Sequence, residues 1–296
     1  MRKIIFILLA SINTMLSFAQ IESVDGGMSA YRKIELENYG DASHLAFYKV
    51  QYLKDSTQTN KYSEAQCVLQ ISNDYLCFSD YYQLIVDSIE TCFVKERKTR
   101  TKENLKKWEN AASLTIFHTK IVTSLKSNII KAQIYTGLND YEYTDTLPDI
   151  NWTLLQGDTI INGVVCKKAL CNYAGRKYVA WYAESIPMPY GPYIFHGLPG
   201  LIMETKDTKN NWIFTNNGVC KAGKGTMIYL YKKGFISGNV IKTTRRKALE
   251  ALQNEIENSA NLFIEKAKVE VLSNGKWTTP EADKPRQPSN LIEQKW

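Results

Sequence analysis

The sequence predicts an α+β protein built on a curved, largely antiparallel β-sheet, with an amphipathic helix near the C-terminus packed on one face. Three observations carry this. Runs of β-branched and aromatic residues alternate with tight-turn pairs, an Asn-Gly among them. One stretch holds prolines too densely for the interior of a ladder. A late run of apolar residues recurs at three- and four-residue steps. At 296 residues, 44% of them hydrophobic, the chain is long enough to bury a sizeable core.

Residues 45–54 have strand character, and 65–71 followed by 75–78 form a hairpin that turns on Ser72-Asn73-Asp74. Residues 95–108 interrupt the pattern: Lys95, Arg97, Lys98, Arg100, Lys102, Lys106 and Lys107 stand against Glu96 and Glu103. Few aromatics interleave with these charges, so a solvated loop or helix face is favoured over an electrostatic landing patch. Strands resume at 114–122 and Ile129–Tyr135. The strongest β signal starts at Trp152, with runs at 159–161, 164–173 and 176–183 separated by Asn162-Gly163 and Ala174-Gly175, which predicts an antiparallel meander. Ile186-Pro187-Met188-Pro189 and Gly191-Pro192 lack ladder donors and predict an ordered loop across a sheet edge. Residues 201–205 and 211–215 are strands about a turn at 207–210, and 227–231 adds another. Leu249, Leu252, Ile256, Ala260, Phe263 and Ala267 line one face of a helix, whose simplest partner is the sheet. From Ser273 onward, Gly275, Pro280, Pro285 and Pro288 predict a polar tail without a core of its own.

The first residues predict export. Arg2 and Lys3, an apolar run from Ile4 to Ala10, and Ser17-Phe18-Ala19 form a cleavable signal over 1–19 that leaves Gln20 first. Ser11, Asn13 and Thr14 break the apolar run short of the roughly 20 residues needed to span a bilayer. No transmembrane anchor is expected after cleavage. Losing two basic residues takes Lys and Arg from 37 to 35 against 30 acidic residues, a mild +5. In an exported protein that favours anionic surfaces over nucleic acid, and no nucleic-acid partner is expected. The six cysteines, Cys67, Cys77, Cys92, Cys166, Cys171 and Cys220, would enter a compartment that permits disulfides without requiring them. Cys67 and Cys77 can face each other across the predicted hairpin, whereas Cys166 and Cys171 cannot pair within one extended strand.

Tests for chemistry return no catalytic group. Residues 218–224 have the glycine and lysine spacing of a phosphate loop, but Gly225 stands where a hydroxyl is required, so a turn between strands is expected. His44, His118 and His196 sit in no zinc pattern, no cofactor or metal is expected, and no G-x-S-x-G elbow is present. His196 directly precedes Gly197-Leu198-Pro199-Gly200-Leu201-Ile202. There Pro199-Gly200 predicts a type II turn, with glycine at the positive φ, bracketed by buried Leu198, Leu201 and Ile202.

That hexapeptide and its surroundings resemble the GLPGLI family of exported proteins known from Bacteroidota. The likeness runs through Trp152, Asn162-Gly163, Cys166-Lys167-Lys168-Ala169, Gly175-Arg176, Ala180-Trp181-Tyr182, Ile186-Pro187 and Gly191-Pro192. Ser289-Asn290-Leu291-Ile292-Glu293 is similar to the family's Asn-Pro-Ile-Glu-Leu ending, without its Asn-Pro pair. The family has no established activity, so the resemblance implies export and assigns no catalytic role. The expected organisation is a signal at 1–19, a lead-in at 20–44, one domain at 45–272 with its signature block at 140–220, and a polar tail at 273–296.

The functional expectation leans away from an enzyme. It is a periplasmic or cell-envelope binding protein that holds an apolar ligand, a peptide or an envelope protein, with Tyr190, Tyr193, Phe195 and His196 as candidate contacts. Two alternatives stay open: an envelope hydrolase with a site assembled near His196, and an assembly factor for an outer-membrane complex.

Overall fold

Two meanders meet at the middle of one twelve-stranded open sheet in the computed structural model, which describes residues 34–58, 60–96, 101–137, 139–233, 240–267, 271–273, 276–278 and 288–295. The expected export signal at 1–19 lies outside the described residues, as do Arg97, Lys98 and Arg100 of the basic run and Gly275, Pro280 and Pro285 of the tail. The first meander is β2 (His44–Leu53), β3 (Tyr62–Ile71), β4 (Tyr75–Asp80), β5 (Thr119–Ser124), β6 (Ile129–Tyr135) and β7 (Asp140–Thr146). The second is β8 (Thr153–Ile161), β9 (Val164–Tyr173), β10 (Arg176–Ala183), β11 (Leu201–Asp207) and β12 (Trp212–Lys221). They join where β12 pairs antiparallel with β2, so residues far apart in sequence form the centre of the sheet. At the far end β14 (Val240–Thr243) adds to β7 in parallel.

The period-2 alternation of the inner strands sorts side chains onto two covered faces. Phe78 and Ile121 join the main core, while their neighbours Cys77 and Val122 point the other way into a smaller cluster. That second face is roofed by a separate ribbon, β1 (Leu36–Asp41) paired with β13 (Met227–Tyr231). Ile228 and Leu230 supply its apolar underside, and glutamines of the sheet bind its backbone. Gln133 Nε2 donates to Tyr231 O at 2.7 Å while its Oε1 accepts from Tyr231 N, and Gln70 Nε2 donates to Met227 O at 3.0 Å. The same alternation corrects the expected Cys67–Cys77 encounter. Cys67 lies opposite Asp80 and Cys77 opposite Gln70, so the two thiols sit on opposite faces. Among the described residues none of the six cysteines forms a disulfide.

Between β4 and β5 the chain forms α1 (Tyr81–Lys95) and α2 (Lys102–Ala112). Asp80 Oδ1 caps α1 by accepting from Tyr82 N at 2.8 Å, and its Oδ2 accepts from Ile116 N and Phe117 N at 2.9 Å each. Those two amides are thereby withdrawn from any ladder, which is why the strand expected from 114 begins only at Thr119. Lys102, Lys106 and Lys107 lie exposed on α2, with Lys107 paired to Glu103. Trp108 Nε1 ties α2 to α1 through Glu90 at 2.7 Å. The glycine-rich run at 218–224 ends β12 and turns toward β13, with Gly225 at φ +79°.

The late amphipathic run divides into α3 (Arg245–Glu257) and α4 (Ser259–Ala267) at Asn258. Ala248 and Leu249 of α3 are buried in the main core. The Glu255 carboxylate accepts from Thr136 Oγ1, from Asn139 Nδ2 at 2.8 Å and from Tyr141 OH at 3.1 Å, which ties α3 to the β6–β7 end of the sheet. A short hairpin, β15 (Val271–Ser273) with β16 (Lys276–Thr278), follows.

Candidate functional site

Three features meet in the second meander: the loop between β10 and β11, the C-terminal segment, and the outer strand β8. The loop is laced by its own backbone. Gly197 N donates to Pro189 O, Leu201 N to Ile186 O, and Ile202 N to Tyr190 O, with Tyr190 and His196 forming an isolated antiparallel bridge. Leu198, Leu201 and Ile202 are buried, and Tyr48 OH donates to Ile202 O at 2.8 Å. The turn differs from the expected type II. Gly200 N donates to Leu198 O at 2.8 Å, a three-residue turn centred on Pro199, and the positive φ falls at Gly197 (+90°). Gly200 is required for space instead, because a Cβ there would lie 2.0 Å from Ala183 O.

The four candidate contact residues do not share a surface. Tyr193, 5% exposed, points inward at φ +59° and donates to Glu293 Oε1 at 2.5 Å. Burial and the Glu293 charge hold its hydroxyl well above the ordinary tyrosine value. Phe195, 1% exposed, is the centre of an aromatic cluster, 4.8 Å from Tyr178, 5.9 Å from Tyr173 and 6.2 Å from Trp152. Only Tyr190 and His196 reach partial exposure. The His196 Nδ1–H donates to Ile194 O at 2.9 Å, and its carbonyl accepts from Trp152 Nε1 at 2.8 Å. Among the described residues no carboxylate hydrogen-bonds or ion-pairs with His196, and no cluster of three or more His, Cys, Asp and Glu could hold a metal.

The C-terminal segment departs from the expected coreless tail. Asn290, Ile292 and Glu293 are buried, and Ile292 belongs to the main core. Arg176, at the start of β10, reaches it with Nε to Ile292 O (3.1 Å) and Nη2 to Asn290 Oδ1 (2.6 Å) and Leu291 O (2.5 Å), while Nη1 pairs with Asp207 at 2.9 Å. Trp212 Nε1 donates to Asn290 O, and Asn290 Nδ2 donates to Leu53 O. Glu293 accepts from Tyr173, Tyr193 and Arg245. Burial pulls the Arg245 guanidinium down, but Glu293 together with Tyr173 and Tyr193 outweighs it and holds Arg245 above its ordinary value. The one signal in the sequence for this docking was the likeness of 289–293 to a family ending.

Among the described residues β8 is the outermost strand and pairs with β9 alone. Seven of its nine residues are exposed and the other two only half-buried; Leu154 (58%) and Ile160 (69%) are bared, beside Val165 (59%) of β9. Its register shifts between Leu155 and Asp158, about Gly157 at φ +116°. The sequence reading reached only 159–161 and missed the rest, because Leu154-Leu155 breaks the alternation that marks a half-buried strand.

The family model described as "Protein of unknown function (Porph_ging)" matches residues 152–204, which runs from the foot of β8 to the middle of β11. No curated protein matches the chain. The solved structure of PNGF-II in its C2 space group overlaps with a TM-score of 0.46 at 12% identity, covering 73% of this chain and 34% of that one. The P21 form gives the same TM-score and coverage at 10% identity. The chain thus spans about a third of those structures' length.

Proposed function

We propose that this chain is an exported GLPGLI-type protein of the cell envelope, without catalytic activity of its own, that captures an extended segment of another envelope protein along the β8 edge. The exposed edge carries the reading. A free strand edge offers a row of backbone N–H and C=O groups at a fixed spacing, which another polypeptide satisfies and a lipid tail does not. The bared Leu154, Ile160 and Val165 supply the apolar contact that gives such pairing its affinity. Among the three partners expected from sequence, this favours a peptide or envelope protein over an apolar small ligand. The exported setting rests on the basic and apolar pattern at 1–19.

Photo-crosslinking in the native envelope tests the capture. A crosslinker at Gln156 is expected to give one dominant protein adduct, lost in the double variant Leu154→Lys, Ile160→Lys. Adducts no stronger than those from a control crosslinker at Ile241, on the opposite sheet edge, would remove the reading. The double variant should keep its stability to within about 1 kcal/mol, since both side chains are exposed. The mass of the protein recovered from the periplasm should correspond to a chain beginning at Gln20.

A further inference from the structure

The C-terminal segment is held as a bound peptide is held. It adds no strand to the sheet. Side chains of β9, β10, β12, the β10–β11 loop and α3 converge on it: Tyr173, Arg176, Trp212, Tyr193 and Arg245. The central arm is set independently of the segment. Asp207 accepts from Asn211 N at 2.5 Å, Trp212 N at 3.1 Å and Asn211 Nδ2 at 3.2 Å, and this fixed carboxylate anchors Arg176 Nη1. Arg176 therefore presents its remaining nitrogens pre-aimed, and side-chain ordering adds little cost to binding.

The contacts also read sequence. Asn290 is read through both its amide groups, by Arg176 and by Leu53 O. At 291 the slot touches the backbone carbonyl, and that side chain stays half-buried. Ile292 enters the apolar core, and Glu293 meets one guanidinium and two hydroxyls. The pattern is Asn-x-Ile-Glu.

We infer that this slot is a peptide-recognition site, separate from the β8 edge, selective for Asn-x-Ile-Glu and occupied by the chain's own end as an exchangeable ligand. The test keeps the whole chain during folding. A protein carrying a protease recognition sequence within 279–287 is folded intact, cut, and challenged with excess isotope-labelled peptide of residues 288–296, read by native mass spectrometry. The labelled peptide is expected to replace the cut segment. A peptide with Glu293→Ala should need at least ~10-fold more for the same replacement, the loss of charge-assisted bonds. A cut segment that never exchanges, or a body that unfolds once cut, would show the segment to be part of the fold and overturn the inference. Should the inserted sequence resist cutting, the full-chain variant Asn290→Ala, Glu293→Ala answers the same question. Saturable binding of the labelled wild-type peptide is then expected, and its absence, or failure of this variant to fold, overturns the inference equally.

Discussion

Two glycines three residues apart do different work. Gly197 holds a positive φ with open space around its Cα, so Gly197→Ala should cost only the conformational penalty, about 1 kcal/mol. Gly200 has no positive φ, yet a Cβ would lie 2.0 Å from Ala183 O and 2.5 Å from its carbon, both backbone atoms at the end of β10. Gly200→Ala must push β10 and β11 apart, and a loss above about 3 kcal/mol is expected, outside the usual range for overpacking because backbone cannot swing away. Urea unfolding of the two variants separates them, and equal midpoints would refute the steric account. The hexapeptide itself was legible in sequence, but its reason was not. Pro-Gly suggests a φ requirement, whereas the constraint comes from Ala183, whose position depends on the β10–β11 pairing.

At the scale of elements, one buried carboxylate joins a helix to a strand. Asp80 caps α1 and also takes the amides of Ile116 and Phe117, so Asp80→Ala strands three N–H groups and should cost roughly 3 kcal/mol. Burial raises its carboxyl above the ordinary value, outweighing the backbone bonds from Phe117, Ile116 and Tyr82 that lower it. A folded value above the unfolded one means that the folded state binds the proton more tightly. The contribution of this group is therefore complete below about pH 4 and is lost as pH rises through the folded value. Asp80→Asn removes that dependence, so the stability of the wild type relative to this variant should fall as pH rises from about 4. A flat difference in urea unfolding between pH 4 and 7 would contradict it. The helix that Asp80 starts was not evident in the sequence. Ser79-Asp80 ends β4 with no break before the helix, and Tyr81, Tyr82, Ile85 and Val86 have strand propensities that the cap overrides. By contrast, β9 and β10 were legible to the residue, because Asn162-Gly163 and Ala174-Gly175 place non-glycine residues at φ +50° and +47° in turns that fix the register of both hairpins.

For the whole molecule, the seam between β2 and β12 decides whether the chain behaves as one unit or two. Each meander alone is a run of sequential hairpins, the kind of local pairing a sequence reveals, whereas nothing in residues 44–53 or 212–221 announces that they are neighbours. The core runs across the seam. Phe214 of β12, fully buried, lies 6.2 Å from Phe78 of the first meander and 6.4 Å from Phe195 of the second, and stacks near Trp212. Tyr48 of β2 reaches over to Ile202 O, and Asn290 of the C-terminal segment donates to Leu53 O, so both halves are stitched by buried polar contacts as well. Separate transitions would require exposing this shared apolar surface while either half stayed folded. The protein should therefore unfold in one cooperative step, with near-ultraviolet and far-ultraviolet circular dichroism giving the same midpoint. Phe214→Ala removes a ring that touches both halves and should lower that single midpoint by about 3–5 kcal/mol of stability while leaving the two probes coincident. If the variant instead splits the curves, with one half melting ahead of the other, the meanders are two domains sharing an edge, and the seam is an interface between them rather than the centre of a common core.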